Sequence, residues 1–208
     1  MKVSVYIDGF NLYYGAIRDT PYEWLNILTL SQLLFPHDQI ESVKYFTAIV
    51  SARPNDPDKS NRQLVFLRAL RTLPKVEVIL GTFLSHTVRM VLAGSPLDRP
   101  QLVEVTKTEE KGSDVNIAAH LIHDAHNRKF EKAALISNDS DLAEPVRMVT
   151  QELHLPVVVV NPHKHRQSAE LTKYAASVKQ IRAGLLSASL LPPSLADAHG
   201  TITKPPGW

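Results

Sequence analysis

The stretch Lys2-Val3-Ser4-Val5-Tyr6-Ile7-Asp8-Gly9-Phe10-Asn11 decides the fold. Its first six residues form a largely β-branched run suited to a strand, which stops at a single carboxylate. Gly9 then permits a tight turn into a helix expected over about 10–16. The same grammar recurs farther on. An apolar run at 132–137 leads into Asn138-Asp139-Ser140-Asp141 and a helix over about 141–153, and Val157-Val158-Val159-Val160 reads as a strand buried on both faces.

Working outward, strands are expected at 42–50 and 76–80 and helices at 30–34, 55–72, 114–127, 169–174 and 181–188. Such alternation signals an α/β fold with a mostly parallel central sheet. In the 55–72 helix, Leu64, Leu67, Leu70 and Leu73 recur at helical spacing opposite Lys59, Arg62, Arg68 and Arg71. On the 114–127 helix, Val115, Ala118, Ala119, Ile122 and Ala125 read as the apolar face. Residues 84–107 break the rhythm, with 89–93 and 102–107 as antiparallel partners joined by a turn rich in glycine and proline. The expected organisation is one domain over 1–165, followed by helices and a proline-rich tail without periodicity over 166–208.

The chain has 208 residues, 44% hydrophobic and 21% charged, enough for one globular core and a modest appendage. It contains no cysteine, which removes disulfides, thiolate zinc sites and cysteine nucleophiles. Its net charge of +2 is nearly balanced, so any nucleic-acid surface must be a local basic patch. The first residues read as a strand rather than a signal peptide, and no apolar run is long enough to span a bilayer. A cytoplasmic protein with no membrane partner is expected.

The chemistry is concentrated in four aspartates: Asp8, Asp114 in Lys111-Gly112-Ser113-Asp114-Val115-Asn116, and the pair Asp139 and Asp141. Each lies where a strand should end or a helix begin, and such boundaries meet at one edge of an open α/β sheet. Two carboxylates ~4 Å apart repel by roughly 4 kcal/mol at an effective dielectric near 20. A fold that gathers several needs protons or a cation. Oxygen-only ligands favour Mg²⁺ or Mn²⁺, and those ions on a carboxylate cluster suggest phosphodiester hydrolysis.

Together the three segments Tyr6-Ile7-Asp8-Gly9-Phe10-Asn11-Leu12, Lys111-Gly112-Ser113-Asp114-Val115-Asn116 and Ile136-Ser137-Asn138-Asp139-Ser140-Asp141-Leu142 resemble the NYN domain family over roughly 1–165. That family belongs to the PIN-like nucleases and includes the bacterial LabA-like proteins. The resemblance implies a three-layer α/β/α PIN-like (Rossmann-like) fold that binds Mg²⁺ or Mn²⁺ and cuts RNA. It implies catalytic and metal-binding roles for Asp8, Asp114, Asp139 and Asp141, with Asn11 as the supporting polar residue. Where many PIN-like sites place a further acid after the Asp114 position, this chain has Asn116 and His120. For the RNA backbone, Lys111 and the loop His163, Lys164, His165 and Arg166 are the expected contacts, with Arg53, Lys59 and Arg62 extending the track.

Each feature also has a plainer reading. Asp8 or Asp114 could cap or charge-stabilise a helix start. Asp139-Ser140-Asp141 also suits a nucleotide-sugar transferase. Tyr13 and Tyr14 could stack on bases or simply pack, and His120, His123 and His126 suit a partly exposed helix surface. A catalytically weak RNA-binding module is the alternative to the nuclease. DNA stays open as a substrate, and the hairpin and the Trp208 tail are candidate homodimer surfaces.

Overall fold

The computed structural model of the chain describes every residue except 53–55, 97, 165 and 207. In chain order the strands are β1 (Lys2–Asp8), β2 (Gln39–Thr47), β3 (Val76–Leu80), β4 (Thr82–Val91), β5 (Leu102–Lys111), β6 (Lys132–Ile136), β7 (Val157–Asn161), β8 (Ser177–Gln180), β9 (Ser194–Asp197) and β10 (Gly200–Thr203). The helices are α1 (Gly9–Leu12), continued by a π-turn at Tyr13–Ile17, α2 (Ile27–Leu34), α3 (Lys59–Leu70), α4 (Ser113–His126), α5 (Ala143–Arg147), α6 (Ala169–Tyr174) and α7 (Ala183–Ser187).

Among the described residues, six strands form one sheet in the order β3-β2-β1-β6-β7-β8, and every neighbouring pair is parallel. Strand order reverses between β1 and β6, so their carboxyl ends flank the crevice where open α/β sheets bind ligands. The two-residue period of a strand divides the core. Val3, Val5, Ile7, Val158 and Val160 pack toward α2 and α3, while Tyr6, Val157 and Val159 pack with Ile117, Leu121 and Val146 of α4 and α5. The result is the expected α/β/α layering.

Several elements differ from the sequence reading. β2 starts three residues early, because Gln39 and Ile40 pair with Lys2 and Val3. It stops at Thr47, where the Gln63 side chain takes over the backbone, donating to Ala48 O at 2.9 Å and accepting from Val50 N at 2.8 Å. On α4 the buried face is Ser113, Ile117, Leu121, Asp124 and Ala125, sharing only Ala125 with the expected one, and Val115 is 71% exposed. The small alanines misled the count, since the longer Ile117 and Leu121 fix which face is buried. The helix expected at 141–153 is a 3₁₀ turn (Ser140–Leu142), then α5, then a π-turn (Met148–Glu152).

The hairpin is longer than expected, with ten residues on each side from Thr82 paired to Lys111 out to Val91 paired to Leu102. Beyond residue 165 the chain supplies the sheet's edge strand, β8. The tail folds back as the β9–β10 hairpin, where Arg68 grips Asp197 with two bonds of 2.7 and 2.6 Å. Trp24 Nε1 donates to Pro192 O at 2.8 Å, and Trp208 packs against Trp24 and Phe66. No helix among the described residues is long and apolar enough to cross a membrane.

Candidate active site

Asp8 ends β1 at the switch point and is 5% exposed. It caps α1, its Oδ1 accepting from Asn11 N at 2.9 Å, while Oδ2 accepts from the Ser137 hydroxyl at 3.0 Å. Ser137 follows β6, so one hydroxyl ties the two central strand ends together and also accepts from Asp139 N at 3.1 Å. The Asn11 side chain reaches farther. Its Oδ1 accepts from Asn138 N at 3.0 Å and lies 3.1 Å from His163 Nε2, joining α1 to the loops after β6 and β7. The Asn11 side-chain carbonyl is therefore already occupied.

The β4–β5 hairpin delivers the other wall. Gly112 has φ 97°, a left-handed conformation that turns the chain from β5 into α4 and brings Asp114 into the first helical turn. Gly81, between β3 and β4, lies under the end of β5. A Cβ there would stand 2.6 Å from Glu110 Oε1 and 2.8 Å from Lys111 O, so only glycine permits the approach. Glu110 Oε1 accepts from Ser113 N at 3.1 Å.

Asp8, Asp114, Asp139 and Glu110 thus line one cleft of about 540 Å³, together with Phe10, Asn11, Tyr14, Phe83, Ser113, Lys59 and His163. Burial pushes the Asp8 carboxyl up to about 6; its bonds from Asn11 and Ser137 oppose the rise, and Asp114 and Asp139 add to it. Asp114 is also raised, by burial and then by the charges of Asp139, Glu110 and Asp141.

Not every expected residue reaches the cleft. Asp141 is exposed and off its lining; its backbone N–H is bound by Asp139 Oδ1 at 3.0 Å, so the first carboxylate of the pair caps the short helix. Lys111 pairs with Glu109 at 3.1 Å on the alternate face of β5 from Thr108 and Glu110, which face the cleft. Arg166 lines a shallow hollow beyond Asp139, beside Asn138 and His163, whereas Lys164 is exposed outside both. Arg53 and His165 lie outside the described residues.

Glu110 is the acid that sequence reasoning missed. Within Lys107-Thr108-Glu109-Glu110-Lys111, the strand period puts Glu109 on one face with both lysines and leaves Glu110 on the other. That alternation was the available signal.

The donor set suits a hard divalent cation. Four carboxylates share a cleft whose lining carries Lys59 as its lysine, and the Ser113 hydroxyl is buried without a hydrogen-bond partner. Among the described residues no three acidic or histidine side chains converge tightly enough to enclose an ion. Mg²⁺ commonly retains several waters and takes one or two carboxylates, so a looser set fits it.

A family model described as the NYN domain matches residues 2–181. The chain is 31% identical to the 6-hydroxy-3-succinoylpyridine 3-monooxygenase HspA of Pseudomonas putida, a similarity covering 100% of this chain and 75% of that protein. Among solved structures it resembles a protein of unknown function from Vibrio parahaemolyticus with a TM-score of 0.57 at 22% identity, covering 91% of this chain and 96% of that one. That last likeness is one of fold.

Proposed function

The chain belongs to the NYN domain family, nuclease-like members of the PIN superfamily, and on that premise we propose that it is a divalent-cation-dependent endoribonuclease of the cytoplasm. The observation that carries this reading is the buried Asp8 at the switch point, its carboxyl raised by burial and by neighbouring acids around one cleft. Asp8, Asp114 and Asp139, with Glu110 on the hairpin side, would hold Mg²⁺ or Mn²⁺. When bound, such a cation supplies an activated water and neutralises charge developing on the phosphoryl oxygens.

The protein's own part is orientation. The Asn11 N–H and the Ser137 hydroxyl fix both oxygens of Asp8, and Asn11 holds the loops of Asn138 and His163 in register. Lys59 on the cleft and Arg166 just beyond it are the cations best placed for flanking phosphates. Hydrolysis adds water across a P–O bond, leaving one phosphate-ended and one hydroxyl-ended fragment, and needs no protein nucleophile.

The test is cleavage of a panel of single-stranded and structured RNAs with Mn²⁺, Mg²⁺ or EDTA, using Asp8→Asn protein purified in parallel. Cleavage abolished by both EDTA and the substitution supports the reading. RNA binding without metal-dependent turnover selects the noncatalytic module instead.

A second reading comes from the relative named as a monooxygenase acting on a hydroxypyridine. It would have this chain insert one atom of dioxygen into such a ring and reduce the other to water with two electrons from an external reductant. Oxygen uptake coupled to loss of the hydroxypyridine, without RNA cleavage, would favour it.

A further inference from the structure

A second cavity of about 540 Å³ opens beside the acid cleft, between the π-turn after α1, the end of β2, α3 and the C-terminal tail. Its walls include Tyr13, Tyr14, Tyr45, Phe66 and Trp208, with Glu23 among them. Phe10, Tyr14, Val50 and Lys59 line both cavities, so the two adjoin and Lys59 lies between them.

Two polar groups in this aromatic box are unspent. Tyr45 lines the cavity and is only 5% exposed, and its hydroxyl makes no hydrogen bond among the described residues. Glu23 receives both of its contacts, from Tyr13 Oη and Asp19 N at 3.4 Å each, on Oε1 alone. Its Oε2 has no donor among the described residues, and Glu23 lines the cavity. Arg62 does not satisfy it, being committed to Asp56 through two bonds of 2.8 and 2.7 Å. A phenolic hydroxyl, which can donate or accept, and a carboxylate oxygen, which accepts, are thus both available to a ligand.

Resting on the nuclease reading, we propose that this cavity is a base-binding subsite that takes a guanine from single-stranded RNA, next to the phosphate held in the acid cleft. Aromatic walls accept the face of any base, and single-stranded RNA is read by such stacking together with hydrogen bonds along the base edge. The carboxylate sets the choice among bases. Guanine presents two adjacent N–H donors, N1–H and the 2-amino group, whereas adenine presents an amino group beside an acceptor nitrogen that a carboxylate repels. The Tyr45 hydroxyl, able to donate or accept, suits the remaining edge atom. Lys59, between the two cavities, fits the phosphate attached to that nucleotide.

The experiment is an equilibrium titration of the whole chain in EDTA, followed by tryptophan emission, since Trp208 lines the cavity and Trp24 packs on it. The probes are guanosine 5′-monophosphate, adenosine 5′-monophosphate, ribose 5-phosphate and 2-pyridone. Saturable binding of the guanine nucleotide, roughly tenfold or more tighter than the adenine one, is expected, with ribose 5-phosphate silent. Glu23→Gln and Tyr45→Phe should each erode that preference while leaving the melting profile near that of the parent chain. Tyr45→Phe keeps the ring and removes only the oxygen, so it guards against a packing effect of the Glu23 change.

Equal binding of the two nucleotides, absence of saturable binding, or an unchanged preference in both variants would overturn the proposal. So would 2-pyridone binding as tightly as the nucleotide, which would assign the cavity to a free heterocycle. Because the titration needs neither metal nor turnover, guanine selectivity without RNA cleavage would sink the nuclease reading and keep the base subsite. Metal-dependent cleavage with no base preference in the titration would do the reverse.

Discussion

The two ends of α4 hold aspartates in opposite electrostatic states. At its amino end, Asp114 faces Asp8, Asp139 and Glu110, and the carboxyls of Asp8 and Asp114 are both raised. Near its carboxyl end Asp124, only 2% exposed, accepts from Tyr6 Oη at 2.8 Å and from Lys44 Nζ, and Lys129 Nζ lies 3.0 Å away. Burial would raise Asp124 too, but the bonds from Lys44, Lys129 and Tyr6 outweigh it and hold its carboxyl below the usual range. Burial alone therefore does not mark a functional acid. What marks the cleft is that none of its acids is in an ion pair among the described residues, although Lys59 lines the same cleft.

The comparison breaks most visibly under substitution at its structural end. Asp124→Asn should cost about 3 kcal/mol of stability, because Lys44 is left as an uncompensated, largely buried charge. Cleavage per folded molecule should be unchanged. Urea unfolding beside an RNA cleavage assay checks both, and a loss of specific activity at full stability would move Asp124 into the functional set.

Asp8→Asn should do the opposite. The amide still accepts from Asn11 N and donates to the Ser137 hydroxyl, so the local bonding survives. A folded value of about 6 against an unfolded value near 4 places roughly 3 kcal/mol of strain on ionised Asp8. The stability contributed by its protonated form is fully present below about pH 4 and is lost as pH rises through about 6. The variant should therefore match the parent chain at pH 4 and exceed its stability at pH 7.5, while cleavage falls by about a hundredfold or more. Denaturation at the two pH values tests the sign.

How much of this was legible beforehand follows from the same physics. β1, β6, β7 and the three acidic segments announce themselves because a strand buried on both faces must be apolar and its end then stands out, while β3 shows through its β-branched run at the sheet edge. β8 hides because Ser177-Val178-Lys179-Gln180 is a four-residue edge strand with one apolar side chain. The β9–β10 hairpin hides for a similar reason, being pinned by Arg68 and Trp24 from afar rather than by its own pattern. Asp8, Asp114 and Asp139 could be grouped from sequence because all end strands or open helices, and they line one cleft. The aromatic cavity was invisible, as it joins residues from 13 to 208 that share no motif.

A cation should sharpen the contrast at intermediate size. Mn²⁺ added at pH 7.5 is expected to raise the melting temperature of the parent chain by a few degrees, on the order of 1–3 kcal/mol of linked binding. At pH 5, where Asp8 is largely protonated, the increase should shrink, and in Asp8→Asn it should vanish. Thermal melts across Mn²⁺ concentration measure this directly, and an equal rise in the variant would place the ion elsewhere.

The smallest effect separates Glu110 from Asp141. By motif, Asp141 belongs to the paired acids after the fourth core strand; by geometry, it is exposed and off the cleft, acting on Asp114 only through its charge. Glu110 lines the cleft, and Gly81 leaves just the room its carboxylate needs. Glu110→Gln should then lower cleavage by about tenfold and raise the Mn²⁺ required, the range seen when groups around a metal are removed. Asp141→Asn should stay within about twofold, as expected for one exposed charge. Cleavage rates measured across a Mn²⁺ series rank the two. The reverse ranking would shift the ligand set from the hairpin wall to the mouth of the short helix, and the β4–β5 arm would become a substrate guide rather than part of the metal site.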